Sequence, residues 1–121
     1  MPIGVVIITH GSKRKEANDE MRSLVNMIRE RDLANLYQTA FLQFEQPALG
    51  AAVDQLLSTG VQTIVVMPYF LVTGNHLSID IMGLIKDEQE KHPDIKFMVA
   101  RHLGMHPGLV DIVLDRIGEC I

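Results

Sequence analysis

Two imidazoles stand where long aliphatic runs end. The run Ile3–Thr9 leads into His10-Gly11-Ser12, and the run Val61–Leu71 leads into a loop carrying Gly74-Asn75-His76. In an open parallel sheet, ligands bind outside the carboxyl ends of the strands. Both histidines are therefore expected on the edge where such folds do chemistry. Two imidazoles from separate strand ends can face one metal ion or one flat ligand. They are too few to close a metal site alone, which leaves room for a substrate or a second chain.

The neighbours of each histidine sharpen this reading. Gly11 permits a sharp turn after the strand, and Ser12 is placed to cap the following helix. Amides at that helix start attract anions. Lys13, Arg14 and Lys15 follow directly. Cations are disfavoured at a helix start, so this basic run points to an anionic ligand beside His10. If His76 opens a helix, Asp80 shares its face four residues on. A carboxylate there can fix an imidazole tautomer and raise its basicity. Pro68-Tyr69-Phe70-Leu71 leads into the second histidine loop and offers Phe70 as part of an apolar wall. Each feature also has an ordinary reading: a strand-to-helix turn, an acidic residue complementing a helix dipole, a buried strand end, a solvated charge run.

His102 and His106 flank Gly104 after the last strand-like run. Their spacing suits a metal pair on a helix, but Gly104 and Pro107 argue against a helix there. His92 precedes Pro93 and reads as a solvent-facing residue at a helix end. The chain lacks the Gly-x-x-x-x-Gly-Lys phosphate loop and the Gly-x-Ser-x-Gly nucleophile elbow. The segment after His10 is also a poor match to a Ser/Thr-rich flavin phosphate loop.

The elements that must position these residues alternate strand and helix. Strands are read at Ile3–Thr9, Asn35–Phe44, Val61–Leu71 and Ile95–Ala100. Helices are read from Ser12 to about Arg31, from Pro47 to Leu57, from His76 to Lys91 and from Leu109 to Ile117. Met21, Leu24, Val25 and Ile28 recur at helical spacing, and Pro47 suits a first helical position. Such alternation implies a parallel sheet wrapped on both faces. The expected fold is a flavodoxin-like four-stranded parallel sheet with helices on both faces, as one domain over residues 1–121.

Composition excludes several functions. The net charge is −4 and only 5% of residues are aromatic, with no Trp. That disfavours nucleic acid as a partner. No stretch approaches the ~20 apolar residues of a membrane span. The single cysteine, Cys120, allows neither an intramolecular disulfide nor a Cys-x-x-Cys site. With no signal-like start, a cytoplasmic location is expected.

Taken in order, these pieces resemble the short-form, single-lobed sirohydrochlorin cobaltochelatases of the class II tetrapyrrole chelatase family. The resemblance covers nearly the whole chain. It rests on His10-Gly11-Ser12 with a basic residue next, and on Ala40-Phe41-Leu42 followed by Pro47. It continues through Val65–Leu71, Gly74-Asn75-His76 with Asp80-Ile81, and Leu103-Gly104-Met105-His106-Pro107. It implies a lyase that inserts a divalent metal, Co²⁺ or else Ni²⁺ or Fe²⁺, into sirohydrochlorin or a related tetrapyrrole on a route to cobalamin or siroheme. The metal is then a substrate, with no permanently bound cofactor. The resemblance also implies His10 and His76 as the metal-handling catalytic pair, and a homodimer. The sequence departs from the pattern at Gln43, where many relatives carry a glutamate, and a glutamine cannot accept a pyrrole proton.

On this reading, His10 and His76 hold the incoming metal and accept protons as it transfers. Neutral imidazole suits borderline divalent ions and takes protons near neutral pH. Ser12, Lys13, Arg14, Gln43, Phe70, Gly74 and Asn75 contact the anionic macrocycle, and Asp80 orients His76. The competing expectation is a non-catalytic carrier of metal or tetrapyrrole, with Gln43 marking lost catalysis. A third is a small domain binding a phosphorylated ligand at the Ser12 helix start.

Overall fold

The computed structural model describes residues 1–121. The chain runs β1 (Gly4–Thr9), α1 (Lys15–Arg31), β2 (Leu36–Phe41), α2 (Leu49–Leu57), β3 (Thr63–Pro68), α3 (Asn75–Lys91), β4 (Lys96–Val99) and α4 (Gly108–Gly118). The four strands form one parallel sheet in the order β2-β1-β3-β4. This is the expected flavodoxin-like arrangement, in which the strand order reverses between β1 and β3.

β1 holds the centre because its sequence, Gly-Val-Val-Ile-Ile-Thr, can be buried on both faces. Val6 and Ile8 pack with Ile64 and Val66 beneath α2 and α3, whose Leu49, Ala52, Val53, Leu56, Ile81 and Ile85 complete that core. On the other face, Val5 and Ile7 pack against Met21 and Val25 of α1 and against Phe41. Helices thus lie on both faces. α4 is the exception: it has no buried residue. No helix is long and apolar enough to cross a membrane.

Element boundaries differ from the sequence reading by one to three residues, including β3, which starts at Thr63, not Val61, and four of the differences shape the sheet's carboxyl edge. α1 begins at Lys15, not Ser12. Gly11 has φ +83°, which turns the chain before a helix can start. β2 ends at Phe41, not Phe44. The chain stays tied to β1 through Leu42 N to Thr9 O (2.9 Å) and Gln43 N to His10 O (3.0 Å), then Phe44 turns it away at φ 65°. α2 starts at Leu49, so Pro47 precedes the helix and accepts from Phe41 N through its carbonyl (2.9 Å). β3 ends at Pro68, and Leu71–Val72 are exposed loop.

Candidate metal and ligand cleft

His10 sits one residue past β1, at the carboxyl edge of the sheet, with its side chain exposed. Its ring meets Phe70 edge to face, with centroids 4.7 Å apart and planes at 74°. That contact fixes the imidazole direction without using a ring nitrogen. Its carbonyl accepts from Gln43, so the His10 and Gln43 backbones are locked together. Gly11 is required at this junction. A Cβ there would lie 1.9 Å from the Gln43 carbonyl oxygen.

His10 forms a wall between two hollows. One is a cleft of about 800 Å³, lined by His10, Leu42, Gln43, Leu77, Asp80, Lys86 and Asp87 among others. Its size falls in the ~300–1,000 Å³ range of small-molecule sites. The other, of about 360 Å³, runs between His10, Ser12, Asn18, Glu20 and Tyr69. Leu77, Asp80, Leu84 and Asp87 recur at helical spacing and present one face of α3 to the larger cleft. Extending that spacing from Asp80 would have found Leu84 and Asp87 in the sequence.

The expected residues are distributed as follows. His10, Gln43 and Asp80 line one cleft, and Phe70 stands behind His10. His76 is exposed in the first turn of α3, directly before cleft-lining Leu77, with Asn75 at the helix start and Gly74 as its cap. Asp80 makes no hydrogen bond to His76 and no ion pair with it within 4.0 Å; it is a lining residue of the His10 cleft instead. Lys13 extends over the Phe44 ring, 5.2 Å from its centroid, and Arg14 is the exposed N-cap position of α1.

Ser12 does not cap α1. Its Oγ accepts from Arg14 N (3.0 Å), and its backbone is gripped by Asn18: Ser12 N donates to Asn18 Oδ1 (2.9 Å) and Asn18 Nδ2 donates to Ser12 O (2.8 Å). Asn18 is buried on α1. It is the anchor of the His10 loop that sequence reasoning missed, because an asparagine inside a helix gives no outward signal.

Glu45, the carboxylate nearest Gln43 in sequence, is engaged elsewhere. Its Oε2 lies 3.2 Å from Arg22 of α1. The Gln46 backbone amide and the Arg22 guanidinium hold its carboxyl below the usual carboxylate range. A group held ionised by its own partners is a poor proton acceptor.

The remaining histidines lie apart from this cleft. His106 Nδ1 accepts from Gly108 N (2.9 Å) and so serves the start of α4. His102 lines a separate hollow with Thr73, Met82 and Arg101. His92, at the end of α3, comes within 3.5 Å of Asp54 and 4.0 Å of Glu88. It therefore lies between carboxylates and is not simply solvent-facing.

A four-stranded parallel sheet in the order β2-β1-β3-β4, with helices on both faces, defines an α/β protein of the flavodoxin-like class. The CbiX family's sequence profile matches residues 4–120, and the chain belongs to the CbiX family. It is 31% identical over 118 residues to the sirohydrochlorin cobaltochelatase of Sulfurisphaera tokodaii, covering 98% of this chain and 93% of that protein. It is also 31% identical to the chloroplastic sirohydrochlorin ferrochelatase of Arabidopsis thaliana, covering 98% of this chain but 52% of that enzyme. It spans 37% of the sirohydrochlorin cobaltochelatase of Priestia megaterium, at 32% identity over 95% of this chain. It thus spans about half or less of these two longer relatives. Among solved structures, the fold matches the sirohydrochlorin chelatase SirB from Bacillus subtilis subspecies spizizenii in complex with cobalt (TM-score 0.91, 23% identity, 98% of this chain and 51% of that chain). It also matches a putative cobalamin biosynthesis CbiX protein from Marinobacter aquaeolei (TM-score 0.85, 24% identity, 98% and 96%).

Proposed function

We propose that this protein is a chelatase acting on sirohydrochlorin or a closely related tetrapyrrole, with Co²⁺ as metal substrate and Ni²⁺ or Fe²⁺ as alternatives. The observation that carries the reading is near end-to-end similarity to a cobaltochelatase of about the same length. The exposed imidazole of His10 beside a cleft of macrocycle-compatible size supports it.

Insertion exchanges one divalent cation for two pyrrole N–H protons. In the proposed mechanism, His10 and His76 hold the metal at the macrocycle face. Imidazole is a borderline ligand, so it binds these ions and still releases them to four ring nitrogens. The protons need acceptors. Gln43 cannot serve and Glu45 is tied to Arg22, so Asp80, which lines the cleft with His10, takes that role together with the imidazoles. Lys13, Arg14 and the cleft residue Lys86 meet substrate carboxylates. Ser12, Gly74 and Asn75 supply backbone and side-chain polar groups at the rim, and Phe70 keeps the His10 ring in place. The protein acts as a single chelatase-like domain over residues 1–121, paired as a homodimer and working in the cytoplasm.

Gln43 favours one other reading, a carrier that binds metal or tetrapyrrole without turnover. An anaerobic absorbance assay with sirohydrochlorin and Co²⁺, Ni²⁺ or Fe²⁺ in turn separates them. The chelatase yields many metallated products per chain above the protein-free rate. A spectral change that stops at one equivalent per site would replace the enzyme with the carrier.

A further inference from the structure

At the far end of α3 from His76, three side chains able to ligate a metal converge from two helices. Asp54, Glu88 and His92 each present one ligand atom, and these atoms lie within 4.8 Å of one another. Asp54 is the only charged residue of α2. Glu88 and His92 stand four residues apart at the end of α3 and so share one side of it. At a rise of ~1.5 Å per residue, Glu88 lies ~18 Å along the helix axis from His76. None of the three lines the His10 cleft.

Glu88 is the unusual member. Its side chain is only 6% exposed, and a carboxylate buried that far needs partners for its charge and its lone pairs. Lys91 Nζ donates to Oε2 at 3.2 Å. Oε1 accepts no hydrogen bond, and His92 Nε2 stands 4.0 Å from it, beyond hydrogen-bond reach. The buried carboxylate thus has one oxygen satisfied and the other aimed at His92. Lys91 is itself mostly exposed, so its charge is screened by water.

The frame around the cluster is fixed. His92 N donates to Glu88 O (3.0 Å), and His92 O accepts from Ile95 N (3.1 Å) and from Gln89 Nε2 (3.3 Å). Asp54 and Glu88 belong to the last turns of α2 and α3. Both helices follow strands of one parallel sheet and run the same way, so both turn their negative dipole ends toward this place, which favours a cation. The spacing suits a small divalent ion. Bonds of ~2.0–2.2 Å in a tetrahedral site put ligand atoms about 3.3–3.5 Å apart. His92 Nε2 and Asp54 Oδ1 are already 3.5 Å apart, and Glu88 Oε1 must close on the imidazole by only about 0.5 Å.

We propose that Asp54, Glu88 and His92 form a site for a divalent transition-metal ion of the Zn²⁺ kind, which ties the end of α2 to the end of α3. One imidazole nitrogen and two carboxylate oxygens are a borderline-to-hard donor set that suits such ions. A water completes four-coordination. The ion supplies Glu88 Oε1 with the partner it lacks and joins two helices that cover the same face of the sheet. The site does not rest on the chelatase reading, because it lies away from the His10 cleft and needs no tetrapyrrole. The competing account is a plain ion pair of His92 with the two carboxylates, which leaves the protein indifferent to metal.

The test titrates Zn²⁺ calorimetrically into the full chain, stripped of metal by a chelator and carrying His10→Ala and His76→Ala to silence the cleft. Asp54→Ala and His92→Gln are then added one at a time. Asp54 is 71% exposed at its side chain, so Asp54→Ala should keep the far-UV spectrum of its background. The site predicts one equivalent of Zn²⁺ per chain that survives the two cleft substitutions. Each added substitution should weaken that equivalent by more than the ~100-fold upper end for loss of a partner behind a ligand. Free Zn²⁺ at tenfold its dissociation constant should raise the melting temperature of the cleft-silenced protein by about 5 °C, and Asp54→Ala should abolish the rise. No Zn²⁺ binding in the cleft-silenced protein would overturn the site and leave the ion pair. Binding that persists in Asp54→Ala or in His92→Gln would mark adventitious ligation elsewhere and would also overturn it. Failure of chelatase turnover in the parent bears on the cleft alone.

Discussion

Replacing Gly11 by alanine should destabilise the protein, whereas the same change at Gly83 should stabilise it. Gly11 lies at φ +83°, and an added Cβ would stand 1.9 Å from the Gln43 carbonyl oxygen and 3.3 Å from the Phe41 side chain. The left-handed conformation costs an L-residue about 1–2 kcal/mol. Relieving the overlap requires the Gln43 carbonyl to retreat by more than an ångström (~1.3 Å to reach ordinary contact near ~3.2 Å). That movement breaks the hydrogen bond from Gln43 N to His10 O, a loss of about 1 kcal/mol. Reduced freedom of the unfolded chain returns about 0.4–1 kcal/mol. The net is a loss of about 2 kcal/mol. With a urea dependence of about 1–3 kcal/mol per molar for a small domain, the unfolding midpoint falls by roughly 1 M. Gly83 lies inside α3 with nothing within 4 Å of its would-be Cβ, so Gly83→Ala should gain about 0.5–1 kcal/mol through helix propensity. Urea unfolding of both variants by circular dichroism provides the assay. A Gly11→Ala midpoint within about 0.2 M of the parent would refute the close packing of the His10 and Gln43 loops.

Asn18→Ala removes both bonds that hold Ser12 and leaves its N–H and C=O without those partners, so it should cost about 1–3 kcal/mol in thermal or urea unfolding. It should lower chelatase turnover further by loosening the His10 loop. Tyr37 is pushed up to about 12 by burial and by its hydrogen bond to the Asp32 carboxylate. A raised pKa means that the folded state keeps its proton longer than the unfolded chain. Stability from this group is therefore complete below pH 10 and declines as pH rises from about 10 to about 12. Ultraviolet titration of the phenol should show one late-ionising tyrosine that moves earlier in Asp32→Asn. Asp32 itself is held below its ordinary 3.8 by Tyr37 and Asn35. Its contribution is present above that value and is lost on further acidification, so parent and Asp32→Asn stabilities should converge at low pH. Asp80→Asn should lower turnover while leaving Co²⁺ binding by the two histidines within a few-fold, as judged by competition with a metallochromic chelator.

The amino-acid sequence makes much of the fold legible. Continuous aliphatic runs bounded by glycines mark β1 and β3, and the alternation of elements assigns the sheet its class. The histidine turn after β1 is legible for the same reason. The failures cluster at loops that depend on distant partners. Ser12 has the chemistry of a helix cap, but Gly11 and Asn18 divert it to another task. Gln43 belongs to no strand, yet its backbone amide donates to the His10 carbonyl just past β1. Asp80 shares a helix with His76 but lines the His10 cleft, because the position of α3 over the sheet decides which stripe of residues borders the opening. The exposure of α4 is also out of reach. Its apolar residues are those of an interior helix, and sequence periodicity does not reveal that none of them is buried within the chain.

Whether the His10 edge performs metal insertion is tested most directly by anaerobic turnover of sirohydrochlorin with Co²⁺ in the parent protein and in His10→Ala. His10 is exposed and its ring makes no hydrogen bond, so the variant should fold with an unchanged melting temperature. Metal insertion at this edge predicts multiple turnovers for the parent and a loss of at least ~100-fold for His10→Ala, within the range expected when a proton-accepting group is removed. A folded His10→Ala protein that turns over at the parent rate would contradict it.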